Sequence, residues 1–279
     1  HKHLSVGDIL SFSTGFSEVM KSFLLYLDEQ GVEDFIQNID RYVSDPKLLH
    51  ESYPDFWDIK KEASSRTTIA AIRKRIRHLI DEGKGLHSSK SKLVDEVFEY
   101  LKQGKTVVID LSLKDNADAS IISTILARKL FENNKAEFTS DNKEGVINTV
   151  IFVEEAQNVL SDEFVKSNAN PFVRVAKEGR KFGLCLIAVT QRPSAISEEI
   201  RTQAENFFAF HMGNADDIKA LVKSNINYDG VISNFIQRET IPGNLYMVSS
   251  DQAFALPIRV SEFEKLVENK VYKDSKFTK

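Results

Sequence analysis

The sequence has 279 residues, 42% apolar and 28% charged, a composition ordinary for a globular protein with one large domain or a core plus a small subdomain. A formal net charge of -4 excludes a broadly basic nucleic-acid-binding chain, so any grip on DNA must come from a local patch. The single cysteine, Cys185, excludes an intrachain disulfide; no run of about 18 apolar residues offers a membrane-spanning helix; and the six histidines show no metal-ligand spacing.

The chain opens His1-Lys2-His3 without an apolar leader, the start expected of a segment excised from a longer, cytoplasmic protein. Residues 5 to about 103 read as helical. Val19, Met20, Phe23, Leu24, Tyr26 and Leu27 recur at helical spacing, and a second helix is predicted over Val32 to Val43. A loop is expected through Asp45-Pro46 and Tyr53-Pro54. Residues 66–82 form a third helix with Ile69, Ile72, Ile76 and Ile80 on one stripe. Lys92 to Leu101 form a fourth, with Gly104 as its C-terminal stop.

From residue 106 the pattern changes to short apolar runs alternating with helical segments. The runs are 106–112, 149–155, 184–190, 207–212 and 244–250; the helices fall near 119–133, 171–181, 195–205, 215–224 and 230–238. Continuous apolar runs of this length suit buried parallel strands, and alternation with helices suits crossover connections. Glu132 to Gly145 is polar and reads as a surface loop. The expected organisation is a helical subdomain over 1–104 and an α/β core over 105–279.

The most informative segment is Val150-Ile151-Phe152-Val153-Glu154-Glu155-Ala156-Gln157. Four apolar residues end in two carboxylates, at the strand end where open α/β sheets bind ligands. Paired acids there suit nucleotide hydrolysis: Glu154 in the magnesium position, through water or directly, and Glu155 polarising the attacking water. Acids in the first turn of a helix are the competing explanation. Gly104-Lys105-Thr106 imitates the end of a phosphate-binding loop, but the position five residues before Gly104 is Glu99. A helix also precedes it and a strand follows, the reverse of the required order. Asp110 imitates the acidic strand end but is followed by Leu111. The sequence therefore contains no G-x-x-x-x-G-K-[ST] motif.

Further along come Arg174-Val175-Ala176-Lys177-Glu178-Gly179-Arg180-Lys181-Phe182-Gly183 and then Thr190-Gln191-Arg192-Pro193-Ser194. The combination EEAQ, EGRKFG and TQRPS, in that order, resembles the HerA family of hexameric DNA translocases, within the wider group of FtsK-like and conjugation-type motors. The likeness extends more loosely over 66–112 and reaches Ile241-Pro242-Gly243 and Leu256-Pro257-Ile258-Arg259. It implies an incomplete RecA-like parallel-sheet ATPase core, of the P-loop class, preceded by a helical insertion. The family's phosphate-binding loop has no counterpart in this sequence and is expected upstream, unless the protein is an inactive relative.

The resemblance also implies roles. Glu155 activates water. Arg180 matches the arginine finger that reaches the γ-phosphate of the adjacent subunit, although a cation closing a helix before Gly183 accounts for it too. Gln191 senses the γ-phosphate and orients water. Arg174, six residues before Arg180, faces the same interface, and Arg192 points towards phosphate. The implied cofactors are ATP and Mg2+, and the implied partners are a homohexamer, double-stranded DNA, and a nuclease or sirtuin-like effector in DNA-end processing or antiviral defence. Asn214, Asp216 and Asp217 read as a helix N-cap with first-turn acids. The densest basic run, Arg73, Lys74, Arg75 and Arg77 with Lys84, Lys90 and Lys92, reads more readily as a solvated face than as a DNA contact; Lys114 lies in a loop better placed for a pore. A non-hydrolysing scaffold ring and a conjugation or secretion ATPase are the competing functions.

Overall fold

A computed structural model describes residues 3–13, 15–57, 62–80, 92–111, 113, 116–140, 145–165, 170–252, 254–265 and 267. In chain order the helices are α1 (Val6–Phe12), α2 (Glu18–Gln30), α3 (Val32–Ser44), α4 (Pro46–Ser52), α5 (Glu62–Arg75), α6 (Arg77–Ile80), α7 (Leu93–Lys102) and α8 (Asn116–Thr139). Strand β1 (Thr149–Val153) follows, then α9 (Gln157–Leu160), α10 (Asp162–Val165), α11 (Pro171–Glu178), β2 (Leu184–Ala188), α12 (Glu198–Arg201) and β3 (Asn206–Ala209). The chain continues through α13 (Ala215–Ser224), α14 (Val231–Arg238), β4 (Asn244–Ser249) and β5 (Leu256–Arg259). Two units result: His1–Ile151 with Lys166–Leu186, and Phe152–Val165 with Ile187–Lys279. The division passes through the middle of both β1 and β2.

In the first unit, local chemistry sets the helix boundaries. Ser5 and Asp8 form a capping box at α1: the Ser5 hydroxyl accepts from the Asp8 N–H and the Asp8 carboxylate from the Ser5 N–H. The Ser17 hydroxyl caps α2. Helix α3 turns Val32, Phe35, Ile36, Ile39 and Tyr42 inward. They meet Phe23, Leu24 and Leu27 of α2 and the stripe Ile69, Ile72, Ile76 and Ile80, all four of which are buried as their spacing predicts. Phe23 is the hub of an aromatic cluster, with Phe35, Tyr53, Phe56 and Trp57 rings 5.0–5.7 Å away.

Three expectations change in this unit. The loop expected at Asp45-Pro46 is helix α4, because the Asp45 carboxylate accepts from the Lys47 N–H and Pro46 occupies the first turn, where no N–H is needed. The loop expected over Glu132–Gly145 is helical as far as Thr139, since tertiary contacts reward helix there: Asn134 is fully buried and the Phe138 ring packs on Phe182 at 5.5 Å. Of the strand expected at 106–112, the described residues 106–111 join neither sheet, and Val108 is 86% exposed; an apolar run becomes a strand only when a neighbour takes up its backbone bonds. Asp81 and Glu82 of the third predicted helix lie outside the described residues, as do Lys84, Lys90 and Lys114.

A buried ion pair ties the ends of this unit together. The Arg128 guanidinium on α8 clamps Asp8 on α1 with Nε–Oδ1 at 3.0 Å and Nη2–Oδ2 at 2.5 Å, and it also reaches Glu132 and the His3 carbonyl. Burial alone lowers the Arg128 pKa, but the bonds and charges of Asp8 and Glu132 together outweigh it and the pKa stands above its ordinary value.

β1 and β2 pair in parallel, as expected. The Thr149 N–H donates to the Gly183 carbonyl at one end and the Val189 N–H to the Val153 carbonyl at the other. The remaining strands depart from the all-parallel expectation: β3, β4 and β5 form an antiparallel sheet, with Phe208 opposite Met247 and Leu245 opposite Ile258. The short β4–β5 connection dictates the second of these pairings, because a parallel return needs a long crossover. β5 itself went unpredicted. In this second unit α13 and α14 pack Ile218, Leu221 and Ile236 against Ala209 and Val248. Tyr228, fully buried, donates its hydroxyl to the carbonyls of Phe207 on β3 and Tyr246 on β4, and burial raises its pKa above the usual tyrosine value. Among the described residues no helix is long and apolar enough to cross a membrane.

Candidate functional site

The site in the second unit begins where β1 ends. Glu154 and Glu155 follow Val153, and both are exposed. The Ala156 N–H donates to the Val189 carbonyl and the Val189 N–H to the Val153 carbonyl, so the carboxyl ends of β1 and β2 are locked side by side. Between those bonds Glu155 takes φ 47°, the only positive φ at a non-glycine among the described residues. The left-handed conformation costs a residue with a Cβ roughly 1–2 kcal/mol. Strain of this kind persists where surrounding bonds over-determine it. Here the chain leaves the strand and enters α9 after only three residues, with the Asn158 N–H returning to the Glu155 carbonyl.

The Glu155 carboxylate is held by two amides. Gln157 Nε2 donates to Oε2 at 2.6 Å, and Gln191 Nε2 approaches Oε1 at 3.4 Å. Gln157 is itself held, its Oε1 accepting from the Thr190 hydroxyl at 2.6 Å. That hydroxyl in turn accepts from the Arg192 N–H at 3.0 Å. The structure thus brings Glu155 and Gln191 together, with Glu154 beside them and Arg192 exposed on the same loop. Gln157 and Thr190 were missed as functional residues, although both lie inside motifs that drew attention: the Gln of EEAQ and the Thr of TQRPS.

Two further contacts fix the loop after β2. The Ser194 N–H donates to the buried Asp217 carboxylate, and the Ser197 N–H to the Leu160 carbonyl. Asn214 caps α13 as read from the sequence, accepting from the Asp216 N–H at 2.7 Å. Asp217 therefore has a second task that capping logic did not reveal.

Arg174 and Arg180 belong to the first unit. Arg174, on α11, stacks its guanidinium over the Phe131 ring at 4.3 Å. Arg180 is exposed on a 3-10 turn, Gly179–Phe182. Both glycines of EGRKFG have steric reasons. A Cβ at Gly179 would lie 2.8 Å from the Leu184 carbonyl, and Gly183 closes the turn at φ 69°. The turn is anchored from beneath by Asn134 of α8, whose Nδ2 donates to the carbonyls of Ile147 and Phe182 and whose Oδ1 accepts from the Ile147 N–H.

The basic run is partly consumed within the fold. Arg73 pairs with Asp40 at 2.7 Å, and Arg75 donates to the carbonyls of Gly15 and Ala71. Among the described residues no group of three or more His, Cys, Asp or Glu is placed to hold a metal. The donors that are present, exposed carboxylates at one strand end, suit Mg2+ arriving with a phosphate ligand, since Mg2+ keeps waters and takes only one or two carboxylates.

Comparison with known proteins bears on the family. The family model described as zonular occludens toxin (Zot) matches residues 64–218, more than half of the chain. The DNA double-strand break repair helicase HerA of Sulfurisphaera tokodaii is 30% identical over 172 residues, 61% of this chain and 34% of the relative. HerA of Sulfolobus acidocaldarius is 32% identical over 157 residues, 54% of this chain and 31% of the relative. A probable helicase of Methanocaldococcus jannaschii is 23% identical over 254 residues, 87% of this chain and 46% of the relative. The chain is an α/β protein of the RecA-like P-loop class. By the Zot match it belongs to that family, among the HerA/FtsK-like P-loop motors. It spans about a third of the length of the HerA relatives it matches.

Proposed function

We propose that this chain supplies the water-activating part of the ATP site in a HerA-type DNA translocase. It would work as a homohexamer on double-stranded DNA, with a nuclease or sirtuin-like effector as partner. The observation that carries this reading is Glu155: a carboxylate at the end of a parallel strand, in a left-handed backbone conformation, bracketed by the amides of Gln157 and Gln191.

Glu155 accepts the proton of the attacking water. Gln191, on the neighbouring strand end, can hydrogen-bond at once to that water and to a terminal phosphate oxygen. Its long 3.4 Å bond to Glu155 is readily exchanged for such a ligand. Glu154 and Arg192, both exposed, are assigned to the phosphate side. Bound with the nucleotide, Mg2+ neutralises phosphate charge, and Glu154 is the carboxylate that would hold it, directly or through water. Arg180, projecting from its braced turn, is assigned to the γ-phosphate of the neighbouring subunit, where a guanidinium meets charge spreading over the transferred oxygens. Arg174, six residues earlier on α11, is assigned with it to the nucleotide at that interface. The division at residue 104 between a helical insertion and the ATPase core belongs to the same proposal.

The test is ATP turnover by the full-length protein in the presence of duplex DNA. Glu155→Gln is expected to lose about 10²–10⁴ in kcat, and Arg180→Ala about 10³–10⁵. Mixed rings of the two variants recover activity if Arg180 serves the adjacent site. Full activity in either variant refutes its role, and rings without any ATP turnover would make the protein a scaffold.

A further inference from the structure

Gln157 and Thr190 have no role in the reading above, yet their side chains form a directed chain of hydrogen bonds that ends on its base. The Arg192 N–H donates to Thr190 Oγ1, which occupies one acceptor site of the hydroxyl and leaves its proton to give. The hydroxyl proton then goes to Gln157 Oε1 at 2.6 Å. With its carbonyl end taken, the Gln157 amide can present only its NH2 to Glu155, and it does so at 2.6 Å. The reverse orientation would set the amide oxygen against a carboxylate and take the acceptor away from the Thr190 hydroxyl proton, so the relay favours one amide orientation. Thr190 and Gln157 are both partly buried, whereas Glu155 and Gln191 are exposed. The short, sheltered bond is therefore the standing one, and the 3.4 Å bond from Gln191 is the exchangeable one.

We infer that Gln157 and Thr190 are positioning residues for Glu155: Thr190 orients the Gln157 amide, and Gln157 holds the carboxylate in place when Gln191 turns to a ligand. The inference rests on Glu155 being the hydrolytic base, but the relay has consequences that can be read without turnover. A base displaced by about 1 Å loses on the order of a hundredfold in rate while substrate binding is little changed.

The experiment compares Gln157→Leu, Thr190→Val, Thr190→Ser and the Gln157→Leu/Thr190→Val double variant in the full-length protein, with Glu155→Gln as reference. Both single losses are expected to lower kcat for ATP between about tenfold and a hundredfold, with KM within about twofold. Thr190→Ser keeps the hydroxyl and restores kcat. The double variant is no slower than the worse single one, because the two residues act through one another. Independent, additive losses, or unchanged kcat where Glu155→Gln is dead, overturn the inference. If Glu155→Gln stays active, the proposed function fails instead. The relay is then judged from a crystal structure of Thr190→Val. There the Gln157 amide is expected to turn and leave Glu155; an unmoved amide and carboxylate overturn the positioning claim on their own.

Discussion

Replacing Asn134 by Leu should loosen the turn that carries Arg180, and the size of the effect follows from its bonds. Asn134 is fully buried and makes three long-range hydrogen bonds, to the Phe182 carbonyl at 2.8 Å, the Ile147 carbonyl at 2.9 Å and the Ile147 N–H at 3.1 Å. Leucine keeps the branched four-atom outline with bulkier methyl ends, so none of the loss comes from a cavity. At about 1 kcal/mol net for each bond, the cost is about 3 kcal/mol, and the buried Ile147 N–H left without a partner sets a floor of roughly 1 kcal/mol. Trp57 is the single tryptophan and lies in the same unit, so its fluorescence reports urea unfolding of the part that matters. With a slope of about 1–3 kcal/mol/M, the midpoint should fall by roughly 1–3 M. A shift below about 0.3 M would refute the reasoning, since it would mean that water or a repacked side chain replaces all three bonds without loss.

Other consequences follow from the same kind of accounting. Arg128→Met leaves Asp8 buried without its partner and should cost about 3–5 kcal/mol in chemical denaturation, whereas Asp8→Leu with Arg128→Met should regain most of it. Tyr228→Phe removes the donor shared by two carbonyls of the antiparallel sheet and should cost about 1–2 kcal/mol in thermal unfolding. Burial raises the Tyr228 pKa, so the fold favours its neutral form. That contribution is whole below the ordinary tyrosine value of about 10 and fades as pH rises beyond it. The alkaline limb of a stability curve should therefore flatten in Tyr228→Phe.

The sequence by itself determined what depends on periodicity and on short-range chemistry. Helix α13 starts where Asn214 caps it, the stripe Ile69, Ile72, Ile76 and Ile80 is buried, and the runs before Glu154 and before Thr190 are parallel strands. Those features are local, since a cap, a 3.6-residue period or a continuous apolar run carries its own physical reason. The same local logic marked the strand-end acids and Gly183 after Arg180.

Only the tertiary structure decided what depends on a partner distant in sequence. Whether 132–139 was loop or helix turned on Asn134 finding Ile147 and Phe182, and whether 106–112 was a strand turned on a neighbour to pair with. The antiparallel return of β4 and the second task of Asp217 are of the same kind. So is the relay from Thr190 through Gln157 to Glu155, whose members lie up to 35 residues apart and meet only because β1 and β2 end side by side. A hydrogen bond needs both partners in place, and that placement is a property of the fold.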